Sequence, residues 1–489
     1  MHLRFPVWLA VATVLATLSR GAEHNLWPFW VGREAPAGPI EAWQAAGPLF
    51  FSKPGAEPGA RVSGFRPFYL QQHQGEAHRA ALFYPFFTWE RQPGFTSFSF
   101  FQLLNQREQL ESDGSTTRGF DVWPFYFSKQ TGEPDESYRA LFPIGGTIRH
   151  RLGSDRLTWA LFPLYIKSVK SGRTITQTPW PFVRRIEGDG HKGLEVWPLY
   201  GARGREGDYR RRFWLWPLFY DVQTNLSAPQ PDEKFGALPF YTRETGPGYR
   251  SETYLWPFFG YTHRTDPSAY DEKRFLWPLL VQGRGENRHV NRWAPFYTRS
   301  NTKGYDKTWL LWPLWRTANW EADGVAQEQE QLLFFLWWSL EQRSLTNPDA
   351  APASKRHLWP LLSTWDNGAG RRQMQLLSPL EVFFPRNDTV RQLYTPLFAL
   401  WRYDARGLDE KHWSLLWHAV TWHRTAESRE FHLGPLFSYR RGEERTRVAL
   451  GRGLLGLRRT TPGGGWRPFV FDFSRPVDTK QVARATVSP

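Results

Sequence analysis

The sequence predicts an all-β chain, an antiparallel meander of about two dozen strands. Three observations predict it. A short cassette of Trp-Pro followed by aromatics recurs along most of the chain. Between successive cassettes lie two polar runs rich in Tyr and Thr around a glycine, which is the layout of a hairpin. No linker or low-complexity break interrupts the pattern until about Glu321, so one large repeat domain accounts for the 489 residues better than several globular ones.

The cassette reads Leu-Trp-Pro-Phe-Trp at Leu26 to Trp30, Val-Trp-Pro-Phe-Tyr at Val122 to Tyr126, Leu-Trp-Pro-Phe-Phe at Leu255 to Phe259 and Leu-Trp-Pro-Leu-Trp at Leu311 to Trp315. With proline as the ruler, the step is roughly 19 residues from Pro28 through Pro67, Pro124, Pro181 and Pro239 to Pro313. A longer register runs through it. Copies reading Pro-Phe-Tyr or Pro-Phe-Val stand at Pro67, Pro124, Pro181, Pro239 and Pro295, separated by 57, 57, 58 and 56 residues, so three short units make one long one. Between Pro239 and Phe259, and between Pro295 and Trp315, the glycines at Thr245-Gly246-Pro247-Gly248 and Thr302-Lys303-Gly304 supply the positive φ of a tight reversal. The cassette is therefore read as strand, one strand per short unit.

After Asn319 the pattern loosens. The apolar run Leu332 to Leu340 is read either as a decorated repeat unit with a long loop at Thr346 to Ser354 or as a short helix from Gln327 to Gln342. The cassette resumes at Leu358-Trp359-Pro360, with further copies around Pro379, Pro396 and Pro435 and a last one at Trp466-Arg467-Pro468-Phe469. At the other end, Phe5 to Leu18 is apolar behind His2 and Arg4 and is followed by small residues near Ala22, the pattern of a secretory signal peptide. The expected division is a signal peptide at 1–22, one β-repeat domain at 23–473 and a tail at 474–489. The chain has no cysteine, which removes disulfides, thiolate metal sites and a lipoprotein anchor. An exported protein of this size without disulfides suggests a bacterial envelope.

Many similar strands of about ten residues joined by polar turns suit a large closed β-barrel, in which 27 Trp, 18 Tyr and 37 Phe would furnish aromatic girdles. Near the C-terminus, Phe469-Val470-Phe471-Asp472-Phe473 alternates aromatic with other residues and resembles the assembly signal of bacterial outer-membrane β-barrels, although 16 residues follow it here. The resemblance implies an outer-membrane location. Three features point elsewhere, to a β-propeller or β-solenoid. Proline removes a ladder donor and belongs at rims, bulges or junctions. Trp309 to Trp315 is apolar on both faces if it is one strand. Three strands per long unit would invert successive copies in an up-and-down barrel.

The formal charge is +15, and arginine often follows the aromatic run. Arg243, Arg264, Arg299 and Arg316 are the candidate binding residues, because guanidinium pairs bidentately with phosphate and carboxylate. The partners that follow are a lipid bilayer or lipopolysaccharide, or an anionic or glycan ligand. An exported chain gives no reason to expect nucleic acid. Gly451-Arg452-Gly453-Leu454-Leu455-Gly456 matches a dinucleotide fingerprint without the strand and helix it needs, and reads as turn glycines. His412, His418 and His423 differ in strand parity and read as solvated or stacked histidines, not metal ligands. No cofactor and no enzymatic motif is expected. The function that results is a non-enzymatic outer-membrane channel or binding surface for anionic or sugar-like solutes, with a glycan-binding envelope protein or a structural scaffold as the alternatives.

Overall fold

The computed structural model describes residues 23–473 except 35–38, 56, 386, 408, 444 and 461–463. The expected signal peptide and C-terminal tail lie outside the described residues. The chain is all-β. The described residues form 45 strands of four to eight residues, most of them six, and those whose register is resolved pair antiparallel with their neighbours in sequence. This antiparallel meander is the expected fold class, with about twice the expected number of strands.

The count differs because each short unit makes two strands. Between Pro239 and Pro257 the strands Tyr241–Gly246 and Tyr249–Tyr254 pair across Gly246-Pro247-Gly248, as the glycine pattern predicts. The cassette is the turn to the next hairpin. Phe258 N–H donates to Leu255 O at 3.0 Å around a cis Trp256–Pro257 bond, with proline third in the turn. The same closure joins Leu218 to Leu215, Leu279 to Leu276 and Leu314 to Leu311. Proline therefore sits at a junction between short strands, where it removes no ladder donor. The two-faced apolar run Trp309 to Trp315 resolves likewise into a strand end, a turn and a strand start. Six strands per long unit also remove the inversion between copies.

The region after Asn319 continues the pattern with longer strands, Val325–Leu332 and Trp337–Ser344, so the repeat-unit reading holds and the helix reading does not. The copies expected at Pro379 and Pro396 are not cassette turns. Pro396 lies in the short helix Thr395–Phe398, which follows the helix Asp388–Leu393 capped by Asn387. Pro468 sits within the strand Arg467–Val470, whose resolved partner is Leu455–Arg459, an edge position that tolerates a missing donor. Pro435 occupies a cassette turn as expected, and Gly451 to Leu454 is a turn, as the glycine reading holds.

The chain divides into two compact units, residues 64–402 and residues 1–63 with 403–489. In the first, Phe127, Tyr138, Ala140, Ile148 and Trp159 form an apolar cluster on one face. Arg151 closes over it, donating to both carboxylate oxygens of Asp121 at 2.7 and 2.6 Å and stacking on Phe127. The helical segment joins distant parts of this unit: Arg66 Nε donates to Gln392 O, Asn387 Nδ2 to Tyr84 Oη, and Gln375 Nε2 to Thr395 O. In the other unit the first hairpin packs on the later strands through buried polar groups. Thr421 Oγ1 donates to Glu23 Oε1 at 2.6 Å, Asn25 Nδ2 to His418 O at 2.8 Å, and Glu23 N–H to Glu430 Oε2 at 3.4 Å, while Arg440 pairs with Glu430 at 2.9 Å within the later strands.

Candidate membrane interface

A repeat of two antiparallel strands has a geometric consequence. Successive turns of a meander alternate between the two edges of a sheet, so a motif that recurs every second turn always returns to the same edge. Within residues 64–402 the cassettes occupy one edge, while the other carries turns such as Asp189-Gly190, Glu206-Gly207-Asp208, Lys303-Gly304 and Asp323-Gly324. Backbone bonds join cassette to cassette. Leu255 N–H donates to Phe240 O, Trp277 to Phe258 O, Ala294 to Leu279 O and Leu311 to Phe296 O, at 2.7 to 2.9 Å.

These cassettes expose large apolar side chains. Phe240 is 69% exposed, Phe296 68% and Trp312 58%, with Trp123, Phe125, Leu199, Leu255, Trp256 and Leu311 each about half exposed or more. A soluble surface tolerates scattered apolar residues, but a continuous series of this size marks a contact surface. The first row of residues behind the turns extends it over one face. Cross-strand register places Tyr241 opposite Tyr254, Tyr254 opposite Phe259, Leu280 opposite Trp293, Trp293 opposite Tyr297, Tyr297 opposite Leu310 and Leu310 opposite Trp315.

Two residues further along each strand the chemistry changes. The next row on that face runs Arg185, Leu194, Ala202, Arg212, Asp221, Phe235, Arg243, Glu252, Tyr261, Lys273, Gln282, Asn291, Arg299. Outside the apolar cluster around Ile148, several strands are polar on both faces in mid-strand. Tyr209–Trp214 carries Arg210 and Arg212 on one face and Arg211 on the other, and Tyr249–Tyr254 carries Arg250 and Glu252 against Ser251 and Thr253. Along these strands the amphipathicity runs from edge to edge, not from face to face.

The four candidate arginines do not gather into one pocket. Arg243 and Arg299 share the row just given, six strands apart, and both are exposed. Arg264 and Arg316 lie on the opposite face in local bonds. Arg264 donates to Ser268 O and Oγ and stacks on Tyr270, while Arg316 donates to Gln331 Oε1 at 2.7 Å and to Tyr305 Oη at 2.6 Å. Sequence reasoning missed Arg212 and Lys273, which cross-strand register aligns with Arg243, and also Arg185, although it stands four residues after Pro181 just as Arg243 and Arg299 stand four after Pro239 and Pro295.

Of the two expectations for the histidines, ring contact holds and solvation does not: His412 and His423 are buried, opposite each other on the neighbouring strands Glu410–Leu415 and Val420–Arg424, with rings 5.8 Å apart, and the ring of half-buried His418 lies 6.0 Å from that of His412. Parity along a single strand could not relate residues on two. Burial and the nearby Arg33 guanidinium hold His412 down to about 3. Burial works against ionised Glu430, but Arg440 and His432 outweigh it and hold its carboxyl at about 2. Among the described residues no group of three or more His, Asp or Glu is arranged to hold a metal ion, and no helix is long and apolar enough to cross a membrane. No protein-family model and no curated protein matches the chain.

Proposed function

We propose that this chain is a non-enzymatic, membrane-associated β protein that enters one leaflet of a bilayer by its cassette edge. The observation that carries the reading is the collection of exposed Trp, Phe and Leu on that edge, backed by a single aromatic row and then by charge. Trp and Tyr favour the headgroup boundary, where a ring can be half in hydrocarbon and half in water. The depth fits as well. One turn and two residues at ~3.4 Å each give an apolar band of roughly 10 Å, similar to the 5–10 Å immersion of interfacial elements.

The membrane-spanning barrel expected from the sequence would need strands of about 9 to 11 residues and an apolar band of about 25 Å on one face. Six-residue strands with arginine and glutamate in mid-strand are too short, and their apolar band of roughly 10 Å is less than half the height required. Interfacial insertion is therefore the better supported form of the membrane reading, and the outer membrane of a bacterial envelope remains the proposed location.

Co-sedimentation of the purified chain with phosphatidylcholine vesicles tests the proposal, followed by tryptophan fluorescence with lipids brominated at different acyl positions. Binding with quenching by shallow bromines alone supports one-leaflet insertion. Quenching from the bilayer centre would favour a spanning barrel, and no sedimentation at all would end both membrane readings.

A further inference from the structure

The row behind the aromatic belt carries a cation every third strand. Arg185, Arg212, Arg243, Lys273 and Arg299 stand in one line of cross-strand register, separated each time by two residues of other kinds. Neighbouring strands are about 4.8 Å apart, so the cations recur at roughly 14 Å along the edge. All lie on the face that bears the aromatic row, about 7 Å behind it, where headgroup phosphates would stand if the belt reached the acyl boundary.

Their pairing leaves them available. Among the described residues no carboxylate lies within ion-pair distance of Arg212, Arg243 or Lys273. Arg185 holds Glu187 at 2.5 Å and Arg299 holds Asp306 at 2.9 Å, both with the guanidinium more than half exposed. Exposed pairs of this kind contribute little and exchange readily for another anion. The row also contains two acids. Asp221 stands beside Arg212, and Glu252 is buried against Arg250 and Tyr254, which satisfy its carboxylate. The surplus is positive where lipid phosphate would lie.

From this we infer that the bilayer this edge recognises is anionic: the cation row binds the phosphates of acidic glycerolipids while the belt inserts between their chains. The inference rests on the membrane reading above and adds the headgroup to it. Each Lys or Arg near an anionic surface contributes a factor of ~5 in partitioning at physiological salt, so five cations less the opposing acids give an enhancement on the order of 100-fold. The effect is electrostatic and falls as salt shortens the Debye length.

The test compares sedimentation with vesicles of phosphatidylcholine alone and with 30% phosphatidylglycerol, at 0.1 and 0.5 M salt, for the native chain and for Arg212→Gln, Arg243→Gln and Lys273→Gln combined. These three side chains are at least partly exposed and without ion pairs, and an unchanged thermal midpoint verifies that the fold survives. The expected result is a strong preference of the native chain for phosphatidylglycerol that high salt removes. The triple variant should lose nearly all of it, on the order of 100-fold at ~5 per cation, while binding to phosphatidylcholine changes by less than about twofold. Equal binding of the native chain to both vesicles would overturn the headgroup assignment and leave insertion standing, as would a full preference in the triple variant. Absence of binding to either vesicle would overturn both.

Discussion

Phe240 and Phe296 are the most exposed aromatics of the belt in residues 64–402, and replacing both with serine isolates what the belt contributes. A phenylalanine side chain offers about 200 Å². At 69% and 68% exposure each therefore has ~140 Å² to bury, worth ~3.5 kcal/mol if immersed fully at 25 cal/mol per Å². Immersion at the headgroup boundary is partial, and half that value gives about 3.5 kcal/mol for the pair, a loss of several hundredfold in partitioning. The backbone bonds that shape these turns, Phe240 N–H to Ala237 O and Leu255 N–H to Phe240 O, do not involve the rings, so the fold should survive. The assay is titration with phosphatidylcholine vesicles followed by tryptophan fluorescence. Leu152→Ser is the matched control, because Leu152 is 72% exposed but lies in a turn at the polar edge, between Arg151 and Ser154. The double variant should bind far more weakly and the control normally. A change below about threefold in the double variant, or an equal loss in the control, would refute the edge as the inserting surface.

Within the apolar cluster, Ile148→Ala removes a side chain that is 1% exposed between Phe127 and Trp159, and should cost about 2–4 kcal/mol in urea unfolding. Gly146→Ala should cost at least as much, because its φ of +147° excludes a side chain and a Cβ would stand 2.4 Å from Ala140 Cα; an unchanged urea midpoint would contradict that packing. Asp121→Asn leaves the Arg151 guanidinium without its carboxylate, and a drop of about 1–2 kcal/mol is expected in the same assay. The polar seam around Glu23 should make the chain sensitive to acid. His412 stays neutral when folded, so its contribution is present above about 6.5 and lost as pH falls toward 3. Glu430 stays ionised when folded, so its contribution is lost between about 4.5 and 2. His432, raised by Glu430 and Glu23 against the effect of burial, has the opposite sign. The thermal midpoint should fall below pH 6.5, and His412→Gln should flatten the limb between 6.5 and 4.5.

The hairpins were legible wherever their turns used the residues that turns demand, as at Gly246 to Gly248 and at Lys303-Gly304. The strand count was not, because the second class of turn is built from Trp, Pro and Phe. Those residues read as strand by propensity, and a turn that keeps apolar side chains in view has no signature in hydropathy alone. The short helix Asp388–Leu393 carries a local signal, Asn387 as cap, but six residues are too few for a helical period to stand out. Two of the five cations in the row, Arg243 and Arg299, were found because they repeat with the long unit; Arg185 repeats in the same way and was not singled out. Arg212 and Lys273 belong to other short units, and cross-strand register brings them into the row. Glu23 and His412 meet across nearly the whole described chain, a distance no periodicity reports.

Amphipathicity normally follows the side-chain alternation of a strand, apolar on one face and polar on the other. Here it follows the chain's longer period instead. Two strands make one unit, so each unit can assign one chemistry to the turn that ends it and another to the turn at its middle, leaving the strand faces free to be polar. Adding or losing a whole unit lengthens or shortens the edge without moving the belt, whereas adding or losing a single strand would send every later cassette to the opposite edge. Length variation should therefore be tolerated in whole units. Deletion of one complete unit, from Tyr241 to Phe258, joins strands of the correct direction and should leave a folded chain that still binds vesicles. Deletion of the single strand Tyr249–Tyr254 would send the later cassettes to the polar edge, leave those up to Phe240 where they are, and should weaken binding markedly even where the strands still pair. A single-strand deletion that bound as tightly as the native chain would refute the continuous edge as the contact.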